Sequence, residues 1–118
     1  LSTMQETLDL ALNLNTEHAN FYATSALPGS PLYFQAKKNN WELPSKYEEF
    51  AFLSYECKPL KTNHISAKEV LKFRDQAWHK YFENENYLNL VSKKFGHKAM
   101  TNVKEMSKIR LKRKLLEG

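Results

Sequence analysis

Capping residues and apolar repeats divide the chain into helices at both ends with an irregular middle. Ser2-x-x-Gln5 and Thr3-x-x-Glu6 form overlapping capping boxes, in which a hydroxyl and a longer polar side chain satisfy free backbone donors reciprocally. Met4, Leu8, Ala11 and Leu12 follow at helical spacing, with Leu14 near the end and Asn15 at the expected stop. Residues 19–27 are rich in aromatic and small side chains and read as a short strand running into a turn at Pro28-Gly29. Ser30 then caps a helix whose first position is Pro31, where a missing N–H costs nothing. Leu32, Tyr33, Ala36 and Lys37 carry that helix to Asn39-Asn40.

The pattern is irregular from Trp41 to Asn63. Pro44 and Pro59 bracket Tyr47, Phe50, Phe52, Leu53 and Tyr55, and the spacing predicts a short helix over 45–52 with an extended run after it. A loop this aromatic is expected to cover something. Ser66-x-x-Glu69 is a third capping box, followed by a stripe of Val70, Phe73, Ala77, Trp78 and Tyr81. Asn84 or Asn86 restarts a helix carrying Tyr87, Leu88, Leu90, Val91 and Phe95, which Gly96 closes as a left-handed cap. The last helix is predicted over 98–116 with Met100, Val103, Met106 and Ile109 inward. Helix, strand, Pro-Gly turn and helix in that order have the rhythm of an α/β barrel or doubly wound sheet. One such unit is too little to make a sheet, so partner strands are expected elsewhere. The chain, which opens at Leu1, is expected to be a piece of a larger protein.

Composition narrows the class. The chain has 118 residues, enough for one modest domain, and its 42% apolar and 13% aromatic content is that of a folded protein. No apolar run approaches the roughly 20 residues that cross a bilayer. A single cysteine, Cys57, excludes an internal disulfide framework and fits a reducing, cytoplasmic compartment. The net charge is +5, and Lys104, Lys108, Arg110, Lys112, Arg113 and Lys114 crowd the C-terminal stretch. Such a run can attract phosphate, but it also suits the solvated face and negative dipole end of a terminal helix. That structural reading is preferred, and nucleic acid is not the expected partner.

No phosphate-binding loop, paired cysteines or nucleotide fingerprint is present, and the three glycines stand apart. His18, His64, His79 and His97 are scattered and do not have metal-ligand spacing. Cys57 alone cannot hold a cluster that needs about four thiolate ligands, and it reads as a small apolar filler. Glu48-Glu49 reads as exposed charge on a short helix. No catalytic residue and no metal site follow from the residues.

Three stretches carry a resemblance: Met4 to Leu12, then Ala19-Asn20-Phe21-Tyr22, then Leu27-Pro28-Gly29-Ser30-Pro31-Leu32-Tyr33. They resemble the end of the catalytic barrel in radical S-adenosylmethionine (SAM) enzymes, within the group that carries an N-terminal cobalamin-binding domain and includes the anaerobic magnesium-protoporphyrin monomethyl ester cyclases. His64 to Asp75 and the ending Leu111 to Leu116 are similar to the helical region after that barrel. The resemblance implies a mainly α chain of four to five helices with one short β segment. Residues 1–42 would be the last helix–strand–helix of a partial (β/α) barrel, 43–63 an aromatic connector, and 64–118 a helical C-terminal extension. It also implies that Ser25, Ala26, Leu27 and Pro28 lie beside the adenine of SAM, since such barrels place ligands at the C-terminal ends of their strands. The three-cysteine motif is absent here, so the [4Fe–4S] cluster, most of the SAM site and any cobalamin would belong to the upstream domains of a parent enzyme, with no cofactor held by this part alone. Tyr47, Phe50 and Tyr55 would help to enclose a substrate. Left without its neighbours, the strand is expected to self-associate or stay loose. The alternative is a stand-alone helical module that binds nucleic acid or an acidic partner through its basic last helix.

Overall fold

Capping chemistry sets most of the helix boundaries in the computed structural model, which describes residues 2–61 and 64–117. Leu1, Thr62, Asn63 and Gly118, which bound the divisions drawn above, lie outside the described residues. The chain is mainly helical. Its helices are α1 (Ser2–Leu14), α2 (Pro31–Lys38), α3 (Ala67–Phe82), α4 (Glu85–Phe95), α5 (His97–Ser107) and α6 (Lys114–Glu117), with a 3-10 turn at Tyr47–Phe50.

Three caps form as the sequence predicts. Ser30 Oγ accepts from Tyr33 N at 3.1 Å, with Pro31 opening α2. Ser66 Oγ accepts from Glu69 N at 3.2 Å while the Glu69 carboxylate accepts from Ser66 N at 2.9 Å, which is the reciprocal box. Asn84 Oδ1 accepts from Asn86 N at 2.8 Å and opens α4. α1 ends as Asn15 turns to φ 47, a left-handed stop that asparagine tolerates. The first turn differs. Thr3 already lies inside α1, and its carbonyl accepts from Thr7 Oγ1 at 3.1 Å, so Thr3 is not the cap.

The chain forms two units, each with its own interior. One comprises Leu1–Phe21 and Asp75–Arg110, the other Tyr22–Arg74 and Leu111–Gly118. The core of the first is aromatic. Tyr81, Phe82, Tyr87 and Val91 are buried together, and Leu12, Phe21, Trp78, Met100 and Val103 pack around them. The rings of Tyr81, Phe82 and Tyr87 lie 5.0–5.2 Å apart in tilted and edge-on pairs, the geometry their quadrupoles favour. Two of these rings also tie down the loop after α1: Tyr81 Oη donates to the carbonyl of Thr16, and Tyr87 Oη to that of Glu17 at 2.7 Å. In the second unit the buried hydrophobic residues are mostly small: Ala23, Ala26, Ala36 and Cys57, with Val70 and Leu71 from α3.

Several expectations are overturned. Residues 19–27 are not a strand, and no strand occurs among the described residues. A strand needs a ladder, and here the one backbone bond from residues 22–26 among the described residues is Leu60 N to Thr24 O at 2.8 Å. The buried positions Ala23 and Ala26 are also three apart, not two. The short helix over 45–52 shrinks to the 3-10 turn. The last helix is not continuous over 98–116: α5 stops at Ser107 and α6 resumes at Lys114. Met106 and Ile109 are exposed because Ser107 takes the inward register, its Oγ bonded to Lys104 O at 2.9 Å. Phe95 is likewise exposed at the end of α4. Gly96 has the positive φ predicted for it, 93°, but with ψ 169° it is extended rather than left-handed helical, a conformation open mainly to glycine.

Candidate functional site

The turn after residue 24 carries the four residues singled out from the resemblance. Ser30 N and Ser30 Oγ both donate to the Leu27 carbonyl, at 3.0 and 2.7 Å. Pro28 supplies the fixed φ of the first turn position and Gly29 the positive φ, 86°, of the second, as in a type II turn. No heavy atom lies within 4 Å of where a Gly29 side chain would stand, so backbone conformation, not space, calls for glycine here. Ala26 is buried, and Leu27 and Pro28 face outward. The Ser25 hydroxyl is buried and has no hydrogen-bond partner among the described residues. The structure thus brings Ser25, Ala26, Leu27 and Pro28 onto one bend that leads into α2, with one polar atom left over.

The aromatic residues expected to enclose a substrate do not share one environment. Tyr47 is 88% exposed on the 3-10 turn, Phe50 is half-buried, and Tyr55 donates its hydroxyl to Glu117 at 2.7 Å. That bond, together with partial burial, holds the Tyr55 phenol above its ordinary pKa. Glu49, read as exposed charge, is buried. It accepts from Ser45 N at 2.8 Å and lies 3.8 Å from Lys58. The Ser45 N–H keeps the Glu49 carboxyl below the usual range.

The basic C-terminal stretch is built differently from a solvated helix face. Arg113 is 1% exposed and donates from one guanidinium nitrogen to the carbonyls of Phe52 at 2.7 Å and Ser54 at 2.8 Å. Lys114 N reaches Tyr55 O at 2.9 Å and Lys114 Nζ reaches Glu56 at 3.1 Å, so residues 113–117 are strapped onto residues 52–56. Arg74 is also buried, with its guanidinium 5.5 Å from the centre of the Phe52 ring. In the first unit, Lys108 pairs with Glu105 at 2.8 Å and Arg110 with Glu83 at 3.0 Å. Burial of Arg113 was invisible because a Lys-Arg-Lys run reads as solvated. The signal that could have found the break is the stripe of α5, which continues from Ser107 to a charged residue, Arg110.

The histidines also occupy separate places. His18 stacks obliquely on Phe82 at 5.6 Å, and His79 Nδ1, buried and without a hydrogen bond among the described residues, lies 3.4 Å from the Glu83 carboxylate. That carboxylate already serves Arg110, and the longer approach of His79 is an electrostatic contact rather than a well-formed bond. Among the described residues no three His, Cys, Asp or Glu side chains converge to hold a metal ion, and no helix is long and apolar enough to cross a membrane. Comparison of the chain with protein-family models, with curated proteins and with solved structures yields no match.

Proposed function

We propose that this chain is the C-terminal region of a radical SAM enzyme of the cobalamin-binding group, acting through what it packs against. The observation that carries the reading is the bend at 22–30. A segment with almost no backbone pairing of its own runs into a Pro28-Gly29 turn and a Ser30-capped helix, the outline of a barrel's final strand, turn and helix without its ladder. In the parent, residues 19–27 take up a ladder supplied by the upstream barrel. The cluster, SAM and any cobalamin are held there, because this chain has one thiol where a cluster open to SAM uses about three. Since the Leu27 carbonyl is already occupied twice, the contact with adenine falls to the Ser25 hydroxyl and the backbone of Ala26.

The alternative of a module that binds through a basic last helix loses the geometry it relied on. The stretch is not one helix, Arg113 is buried, and Lys108, Arg110 and Lys114 each answer a carboxylate.

Reconstitution with iron, sulfide and SAM tests the preferred reading. The chain alone is expected to give neither cluster absorption nor reductive cleavage of SAM. Stoichiometric [4Fe–4S] binding that disappears in Cys57→Ser would overturn it, whereas loosely bound iron is what any lone thiolate collects.

A further inference from the structure

The net positive charge of the molecule lies in one unit. Leu1–Phe21 with Asp75–Arg110 carries seven Lys and Arg against seven Asp and Glu, whereas Tyr22–Arg74 with Leu111–Gly118 carries eleven against six, the whole excess of five. Of the six carboxylates in the basic unit, Glu49 and Glu56 pair with Lys58 and Lys114. Glu42, Glu48, Glu69 and Glu117 are exposed and in no ion pair among the described residues. Against them stand Lys38, Lys46, Lys61, Lys68, Lys72 and Lys112, all exposed and in no ion pair among the described residues.

The same unit leaves its flat rings outside. On α2, Ala36 is fully buried while Phe34 is 60% exposed, with Lys37 and Lys38 one turn further on along the same side. The Phe34 ring meets that of Tyr33 edge-on at 5.8 Å, and Lys37 Nζ lies 5.1 Å over Tyr33, so the cluster already stacks rings and cations. Lys46 and the 88% exposed Tyr47 stand next to each other at the start of the 3-10 turn.

We propose that this unit binds single-stranded nucleic acid, with Phe34 and Tyr47 as stacking platforms for bases and Lys37, Lys38 and Lys46 on the phosphates. A flexible strand can bring its phosphates to scattered lysines and its open base faces to isolated rings. A duplex keeps its base faces hidden and gains only the electrostatic part. An anionic bilayer rewards a continuous apolar face, and an eight-residue helix with one exposed ring does not offer one. The inference rests on charge and exposure in this unit alone and is independent of the proposed parent enzyme.

Fluorescence anisotropy on the full chain tests it. The probes are a labelled single strand of about twelve nucleotides, the matching duplex, and phosphatidylserine-containing vesicles as competitor. The single strand should bind at least about tenfold tighter than the duplex, since each stacked base is worth about that much. With about three phosphates engaged, a roughly fourfold rise in salt should weaken binding about 20-fold. Phe34→Ala and Tyr47→Ala should each weaken it about tenfold, with the melting temperature unchanged because both rings are exposed. Replacing Lys37 and Lys38 together by Gln should flatten the log–log salt slope by about 1.4. The proposal fails if the strand does not bind at low salt, if duplex binds equally well, if both ring variants bind like the wild type, or if vesicles displace the strand.

Discussion

Arg113 shows how far one side chain can depart from the pattern around it. Its neighbours Lys112 and Lys114 are exposed, yet its buried guanidinium donates to two backbone carbonyls. Arg113→Gln should therefore lower stability by about 1–3 kcal/mol, the cost of leaving buried acceptors unmet. Lys112→Gln should change it by no more than about 0.5 kcal/mol. Paired thermal melts of the two variants check this, and equal melting points would contradict the account of the strap. Carboxylates at the caps make a second test. The backbone N–H and then the hydroxyl of Ser66 hold Glu69 below its ordinary pKa. A depressed carboxyl stabilises the fold above its ordinary titration range, and that contribution disappears as pH falls through the depressed value. Glu69→Gln should thus melt below the wild type near neutrality and converge with it once the pH has fallen below the depressed value. Melting curves across that range read the difference, and a gap that persists in acid would mean that the charge is not what matters.

At the scale of elements, α5 separates inward from outward positions more finely than its sequence does. Val103 packs on the aromatic core, so Val103→Asp should destabilise by several kcal/mol, about what an unpaired buried charge costs. Ile109→Asp should do almost nothing, because Ile109 is 65% exposed. Chemical denaturation of both variants checks the register, and a strong effect of Ile109→Asp would restore the continuous helix. The caps at Ser30, Ser66 and Asn84 and the glycines of the turns were legible because they are local devices, fixed by neighbours three or four residues away. The end of α5 was not legible, since it depends on Ser107 taking the buried register and on carbonyls some sixty residues away drawing Arg113 inward. The strand at 19–27 was misread for a related reason. Its residues have β propensity, but propensity becomes a strand only where another chain segment supplies a ladder. Of the candidate bend, the Pro28-Gly29 turn could be read in advance, while the unpartnered Ser25 hydroxyl could not.

For the whole molecule, the two units answer different physical needs. The neutral one has an aromatic core, and the basic one buries mostly small apolar side chains beside Glu49, Arg74 and Arg113 while leaving Tyr22, Phe34 and Tyr47 outside. Under the proposed function, residues 19–27 would pair with strands of the parent enzyme. Hydrogen exchange on the isolated chain should find the amides of residues 22–26 poorly protected, since they lack ladder partners here. In the parent the same amides should exchange slowly, and equal rates in both would argue against sheet completion. The most direct measurement is the coding sequence immediately upstream of the Leu1 codon. The account predicts a continuous reading frame that encodes a barrel with Cys-x-x-x-Cys-x-x-Cys near its start. An upstream frame without that cysteine motif, or a start codon adjacent to Leu1, would contradict it.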